Sequence, residues 1–546
     1  MTNLLHVSAR EGNPLPGRRA VRDRWSRLVP GSAPPRRRGA RPPLLLVVPA
    51  CVSALIALLP LAYLGVRAFE NGLGVLLDVL LRERTVRLLV RSLALTGAVT
   101  AAALVIGVAL AWLTVRSDLP ARRFWAVVAA LPLAVPTYVA GFGWISFFPD
   151  LAGPVGAFVV LSACCYPYVL LPVSAALRRM DPAGEEVARS LGLSPLQAFL
   201  RTTLPQLRPA LAAGGLLVAL YTLSDFGAVS IMRFDSFTRV IYTSYRSSFD
   251  RTPAAVLSLL LVAVTAVLVW LESRSRGRAS YSRVGSGGAR DPSRVKLGAA
   301  TLPALAVTVG TAGVALGVPL AALAYWSIVG NRGSVVLTDL LSAAGTSVTF
   351  AVLGAVATTL LAIPVGVLAA RRSGRLPALL ERASYVGYAL PGIVVAFSLV
   401  FLSVRYASPL YQRTPVLVLA YVVLFLPLAV GAVHVSAAQS PPALEEVARA
   451  AGARPLAVLR RVTLPLAAPG IAAGAVLVFL TVMKELPATL LLQPLGSATL
   501  ATEVWTGTGV AAYSAAAPYA AVLVLLSALP TYLLGVRTGA LDRSPR

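Results

Sequence analysis

The chain has 546 residues, of which 57% are hydrophobic and 13% charged, with a mean hydropathy of +0.77. That balance excludes a soluble globule and points to an integral membrane protein, for which soluble domain sizes give no guide to domain count. The net charge of +27 is almost wholly arginine, and those arginines sit between apolar runs with no aromatic-rich soluble domain beside them, so nucleic acid is not an expected partner.

Residues 1–41 are rich in Arg, Pro and Gly and are expected to form a disordered tail. Apolar runs long enough to cross ~30 Å of hydrocarbon follow at about 43–66, 92–115, 124–148, 152–177, 209–232 and 252–271. A second set lies at about 300–328, 344–370, 383–404, 414–438, 467–492 and 514–536. The expected fold is therefore an all-α integral membrane protein with about 12 transmembrane helices, in two tandem six-helix halves related by pseudo-two-fold symmetry. The first half is placed at 42–272, a Gly/Ser/Arg linker at 273–298 and the second half at 299–546. Cys51, Cys164 and Cys165 all fall inside apolar runs and are expected to act as small packing residues.

Arginine placement sets the orientation. With six spans per half, one side receives the Arg-rich tail, Arg116/Arg122/Arg123, the linker, Arg371/Arg372/Arg375 and the C-terminal arginines. That side reads as cytoplasmic, with both termini there.

One polar block occurs twice on that side. Glu185-Glu186-Val187-Ala188-Arg189 returns 260 residues later as Glu445-Glu446-Val447-Ala448-Arg449. Gly192 and Leu204-Pro205 are matched by Gly452 and Leu464-Pro465, and 181–220 shares 21 of 40 positions with 441–480. Each copy reads as two short helices. Asp181-Pro182 or Ser440-Pro441 starts the first, a glycine ends it, Pro195 or Pro455 restarts the chain, and prolines close the unit. A passive interfacial helix needs only apolar and basic faces. The same Glu, Gly and Leu-Pro at the same spacing suit a partner with two equivalent docking surfaces.

Glu186-Val187-Ala188 through Leu204-Pro205, and Glu446-Val447-Ala448 through Leu464-Pro465, resemble the "EAA" loop of inner-membrane permease subunits of binding-protein-dependent ABC importers. Both copies carry Val where the family usually has its first Ala. Two copies in one chain are similar to fused permeases, and the resemblance runs from about 43 to 540. It implies that Glu185, Glu186, Ala188, Gly192, Leu204, Pro205 and Glu445, Glu446, Ala448, Gly452, Leu464, Pro465 form coupling loops for two copies of an ABC ATPase subunit. It also implies a solute-binding protein outside and a bacterial inner-membrane location. Asp225-Phe226-Gly227-Ala228-Val229 with Phe237-Thr238-Arg239, and Lys484 through Leu492 with Thr499-Leu500-Ala501-Thr502, resemble iron(III) permeases. Permeases for 2-aminoethylphosphonate, polyamines or thiamine share pieces of these motifs and stand as alternatives, as does a secondary transporter with internal repeats.

Asp225 and the Lys484-Glu485 pair fall at corresponding places, each about 24 Å along its run at 1.5 Å per residue. An ion that deep costs at least ~2.5–3.5 kcal/mol, so it should line a pathway, pair structurally or snorkel outward. Asp225 is a candidate partner for Lys484. No Gly-Lys-[Ser/Thr] phosphate loop occurs, so ATP hydrolysis is expected in a separate subunit. No catalytic residue, resident metal or cofactor is expected, and His434 reads as a packing residue rather than a ligand.

Overall fold

The computed structural model describes residues 44–180, 183–247, 252–275, 294–329 and 336–537. The tail at 1–41 and most of the linker at 273–298 lie outside these. Regular structure among the described residues is helical, apart from one isolated bridge between Ser117 and Val295.

Eight helices are long and apolar enough to cross a membrane, and eleven spans result if each of three bent pairs is one span. Seven of the eight match expected runs: Leu44–Phe69, Glu83–Arg116, Pro154–Arg179, Thr252–Leu271, Gly298–Val329, Leu337–Arg371 and Thr414–Gln439. Pro455–Met483 completes the set, overlapping the run expected at 467–492. Among the described residues eight to eleven spans stand against the expected count of about 12, and several of the expected runs are broken. The expected spans at 124–148 and 383–404 are bent by 94° and 104°, at Pro136 and Pro391. Proline cannot continue the helical ladder and pushes the residue before it out of the α region. The run at 209–232 ends its helix at Ser224 and the run at 467–492 ends its helix at Met483. The run at 514–536 lies in the 25-residue helix Tyr513–Arg537.

Each half lends its first helix to the other. Leu44–Phe69 packs on Leu337–Arg371, Arg375–Ser384 and Gly392–Tyr406, while Gly298–Val329 packs on Arg122–Ala130 and Thr137–Phe147. Both helices keep large apolar side chains exposed, Leu44 and Leu55 on one, Leu302 and Ile328 on the other, as lipid-facing surfaces should. Lipid tails are as apolar as leucine, so polar bonds and close packing must hold such helices together. Ser53 Oγ donates to Leu361 O at 2.8 Å, Ser398 Oγ to Pro60 O at 2.6 Å and Thr265 Oγ1 to Ala389 O at 2.7 Å, each across the two halves. Ring contacts add Tyr245 on Phe397, with centroids 4.4 Å apart, and Phe226 on Trp505 at 5.0 Å. At the face opposite the coupling blocks, Glu70 accepts from Arg67 and from Arg405 of the second half, the latter at 2.9 Å. These two partners hold the Glu70 carboxyl below its ordinary range.

The span that follows each repeated block approaches its neighbour at a glycine. A Cβ on Gly214 would stand 3.0 Å from Val169 Cα, and one on Gly474, its counterpart 260 residues later, 2.4 Å from Ala432 Cβ. Gly474→Leu should therefore destabilise the fold by about 1–3 kcal/mol through overpacking, read as a lower thermal unfolding midpoint in detergent. Gly65→Leu, where a Cβ meets nothing within 4 Å, should leave the midpoint unchanged.

Candidate coupling blocks and broken spans

The two repeated blocks fold alike. The first helix runs Ala183–Ser190 in one and Pro442–Ala450 in the other. Each ends on a left-handed glycine, Gly192 at φ +86° and Gly452 at φ +82°. Leu193 N donates to Ala188 O and Ala453 N to Ala448 O, at 3.2 and 3.0 Å. This six-to-one closure needs a residue at positive φ, which glycine adopts without a Cβ penalty. Ser194 and Gln197 then cap the restart in the first copy, Ser194 N donating to Gln197 Oε1 and Gln197 N to Ser194 Oγ. A wide π-turn follows in both copies, Phe199–Thr203 and Leu459–Thr463. Pro205 and Pro465 stand two residues beyond, where an α-helix would need an N–H that proline lacks.

The first glutamate of each pair faces inward. Thr203 Oγ1 donates to Glu185 Oε2 at 3.1 Å, and Thr463 Oγ1 donates to Glu445 Oε1 at 2.9 Å. These bonds clamp the short helix onto the wide turn. Glu445 is buried and also pairs with Arg371 Nε at 2.8 Å and Arg449 Nη2 at 2.7 Å. Arg371 is the last residue of the long helix Leu337–Arg371, and its Nη1 donates to Ser440 O at 3.0 Å. In the first half the corresponding helix ends at Arg116, which is buried within electrostatic reach of Glu185. The second glutamates, Glu186 and Glu446, are exposed, as are Val187, Val447 and Leu191. Ala188 is buried, and Ala448, Leu204, Pro205 and Leu464 are half-buried; Pro465 is exposed.

Asp225 and Glu485 lie at helix breaks rather than inside continuous spans. Ala228 N and Val229 N donate to Asp225 Oδ1 at 2.9 and 3.3 Å, so the carboxylate caps the short helix Gly227–Ile231. Thr137 Oγ1 donates to Asp225 Oδ2 at 2.5 Å, and Thr238 Oγ1 to Asp225 O at 2.6 Å. Glu485 repeats the device: Ala488 N donates to its Oε1 at 3.1 Å, at the start of Pro487–Leu492, and Thr489 Oγ1 to its main-chain O at 2.6 Å. Lys484 does not take Asp225 as its partner. Its Nζ donates to Leu133 O of the first half at 2.9 Å, inside the segment bent between Ala134 and Thr137. Snorkelling is likewise not what these side chains do, since Asp225 is buried and both carboxylates accept locally.

One asymmetry between the breaks is compensated. Thr137 and Gly392 correspond, 255 positions apart, each just after the proline of a bent pair. Where the first half has Asp and Thr, the second has Glu and Gly. A Cβ on Gly392 would lie 2.6 Å from Glu485 Oε1. The longer carboxylate occupies the space that a threonine would need.

Residues 103–278 and again 362–544 match the family described as the binding-protein-dependent transport system inner membrane component. The chain belongs to this permease family. It is 38% identical over 500 residues to the Fe(3+)-transport system permease protein FbpB 2 of Haemophilus influenzae, covering 90% of this chain and 98% of that protein. The sulfate transport system permease protein CysW of Escherichia coli is 28% identical over 237 residues, 39% of this chain and 81% of its own length. A probable sulfate permease protein, cysT, of Nephroselmis olivacea is 29% identical over 208 residues, covering 33% of this chain and 73% of that protein. A permease of this family is a multi-pass inner-membrane transport component. The sulfate relatives are covered nearly whole by less than half of this chain, in keeping with a fused arrangement.

Several members of the site were not picked out from the permease sequence: Thr203, Thr463, Arg371, Thr137 and Gly392. Only the two threonines carried a signal, each standing 18 residues after its glutamate in both copies. His434 packs within the bundle, its Nδ1 2.7 Å from Glu381 Oε1. Among the described residues no three His, Cys, Asp or Glu side chains converge to hold a metal ion.

The compensation at the breaks predicts a rescue. Gly392→Thr alone should abolish transport or lower folded yield severalfold, because the added atoms displace Glu485. Combined with Glu485→Asp it should recover, since the pair then copies Thr137 and Asp225. Yield and transport of the two single variants and the double variant form the cycle that checks this.

Proposed function

We propose that this chain is the complete membrane-spanning unit of a ferric-iron ABC importer, with its halves at 42–272 and 299–546 related by a pseudo-two-fold axis and joined through a cytoplasmic linker at 273–298. Two copies of a separate ATPase subunit dock under the two blocks, and a solute-binding protein delivers iron from the opposite side. Both termini lie on the ATPase side. The observation that carries the reading is the second coupling block, which reproduces the turn, the glycine and the Thr–Glu clamp of the first. Iron as cargo rests on the similarity to the Fe(3+) permease, which spans both halves.

Each block has a division of labour. Glu185 and Glu445 hold the block to the membrane helices, while Glu186, Glu446, Val187 and Val447 face the ATPase. The valine that departs from the family's usual alanine is an exposed apolar contact. Glu445, through Arg371, passes movement of the second block to the long helix Leu337–Arg371. The pathway runs between the halves beside the two bent segments and the two breaks, bordered by Asp225, Lys484 and Glu485. The Lys484–Leu133 bond ties the two halves at that level.

The test is reconstitution. Proteoliposomes holding this chain, its ATPase and its iron-loaded binding protein should accumulate Fe(3+) on ATP addition, and the chain alone should hydrolyse no ATP. Glu186→Lys or Glu446→Lys should lower uptake at least tenfold with the membrane fold intact. Uptake of a different cargo from its own binding protein with iron ignored would overturn the substrate. Undiminished uptake by both variants would overturn the coupling role.

A further inference from the structure

Where the chain enters its second half, it is sewn to the first. Val295 N donates to Arg116 O at 2.9 Å, Asp118 N to Val295 O at 3.2 Å and Leu297 N to Asp118 Oδ1 at 2.9 Å. These bonds form the parallel bridge between Ser117 and Val295. They bring Arg294 beside Arg122 and Arg123, and Ala121 turns the chain between them at φ +53°. The result is an open cleft of about 420 Å³ lined by Asp118, Leu119, Ala121, Arg122, Arg123 and Arg294. Three arginines and one aspartate line it, and one oxygen of the Asp118 carboxylate accepts from Leu297 N.

The position of the cleft defines its occupant. Arg116 ends a long apolar helix and Arg122 begins the next, so the cleft sits where hydrocarbon gives way to water. Phe124 is exposed and Trp125 half-exposed just beyond it, with ring centroids 5.1 Å apart, as aromatic side chains stand at a membrane interface. The helix Thr301–Ala312, which packs on Arg122–Ala130, presents an exposed Leu302 to the same surroundings. Arginine forks match phosphate oxygens two at a time, and basic pockets at this depth recognise anionic headgroups. Among the described residues the corresponding loop of the second half, 372–374, carries no such bridge.

We propose that this cleft binds the phosphate of an anionic phospholipid headgroup and so pins the junction between the halves to the membrane surface. The partner chemistry is a phosphate monoanion or diester presented at headgroup depth, and the lipid is its source.

The full chain is purified into nanodiscs of phosphatidylcholine with a minor fraction of phosphatidylglycerol, and retained lipid is measured by native mass spectrometry. Wild type should retain phosphatidylglycerol, and Arg123→Gln/Arg294→Gln should lose about tenfold in apparent affinity. Arg375→Gln, an exposed arginine on the same side without a cleft, should bind as wild type does. Thermal unfolding in pure phosphatidylcholine should be the same for all three; if the double variant unfolds early, Arg294→Gln alone takes its place. Equal retention by wild type and the cleft variant overturns the proposal. Displacement of the lipid by millimolar inorganic phosphate would show a free-anion site and also overturn it. Unchanged lipid retention with loss of ATPase co-purification would make the cleft a protein contact, and would equally overturn it.

Discussion

A helix broken inside a bilayer must satisfy its own backbone, because no water is there to do so. Asp225 and Glu485 meet that constraint, each accepting from N–H groups of the short helix that follows the break. The chain turns there with the N–H groups of Ala228, Val229 and Ala488 satisfied, and Lys484 of one half reaches the bent segment of the other. The cost of burying a carboxylate is offset by bonds that a neutral apolar residue could not make. In the structure these charges make local, structural bonds.

The same constraint explains how the halves diverge without losing their correspondence. Asp225 needs Thr137 to complete its shell, whereas Glu485 reaches further and needs a neighbour with no side chain. Lys484 has no counterpart in the first half, where Ser224 stands. It uses the free carbonyl of Leu133, exposed by the bend in the other half. At the opposite end of the same span the blocks stay alike, with the same Thr–Glu clamp and the same left-handed glycine in each, as the proposed docking task would require. The repeated blocks are alike, and the breaks beyond them are built from unlike parts.

Much of this was legible in the residues. Apolar run length gave most of the long apolar helices, because hydrocarbon thickness leaves little freedom, but not Gly72–Leu81, Phe237–Ser247 or Leu500–Gly509. The repeat at a 260-residue offset gave both blocks, and glycine and proline positions gave their turns. What the sequence could not give was geometry set by distant partners. Pro136 and Pro391 fall inside apolar runs, and such a run reads the same whether it is straight or bent by 94°. Equally, nothing local to Lys484 points to a carbonyl 351 residues away. Arg371 looked like an ordinary cytoplasmic arginine until the fold brought Glu445 within 2.8 Å.

The central claim is that one chain presents two equivalent, independently seated docking blocks. Site-directed cross-linking tests it most directly, in a background where Cys51, Cys164 and Cys165 are replaced by serine or alanine. Val187→Cys and Val447→Cys, introduced singly and together, are cross-linked to the ATPase in membranes. The account predicts that each single variant captures one ATPase subunit with similar yield and that the double variant captures two. Capture by only one position, or one subunit bound to the double variant, would contradict it.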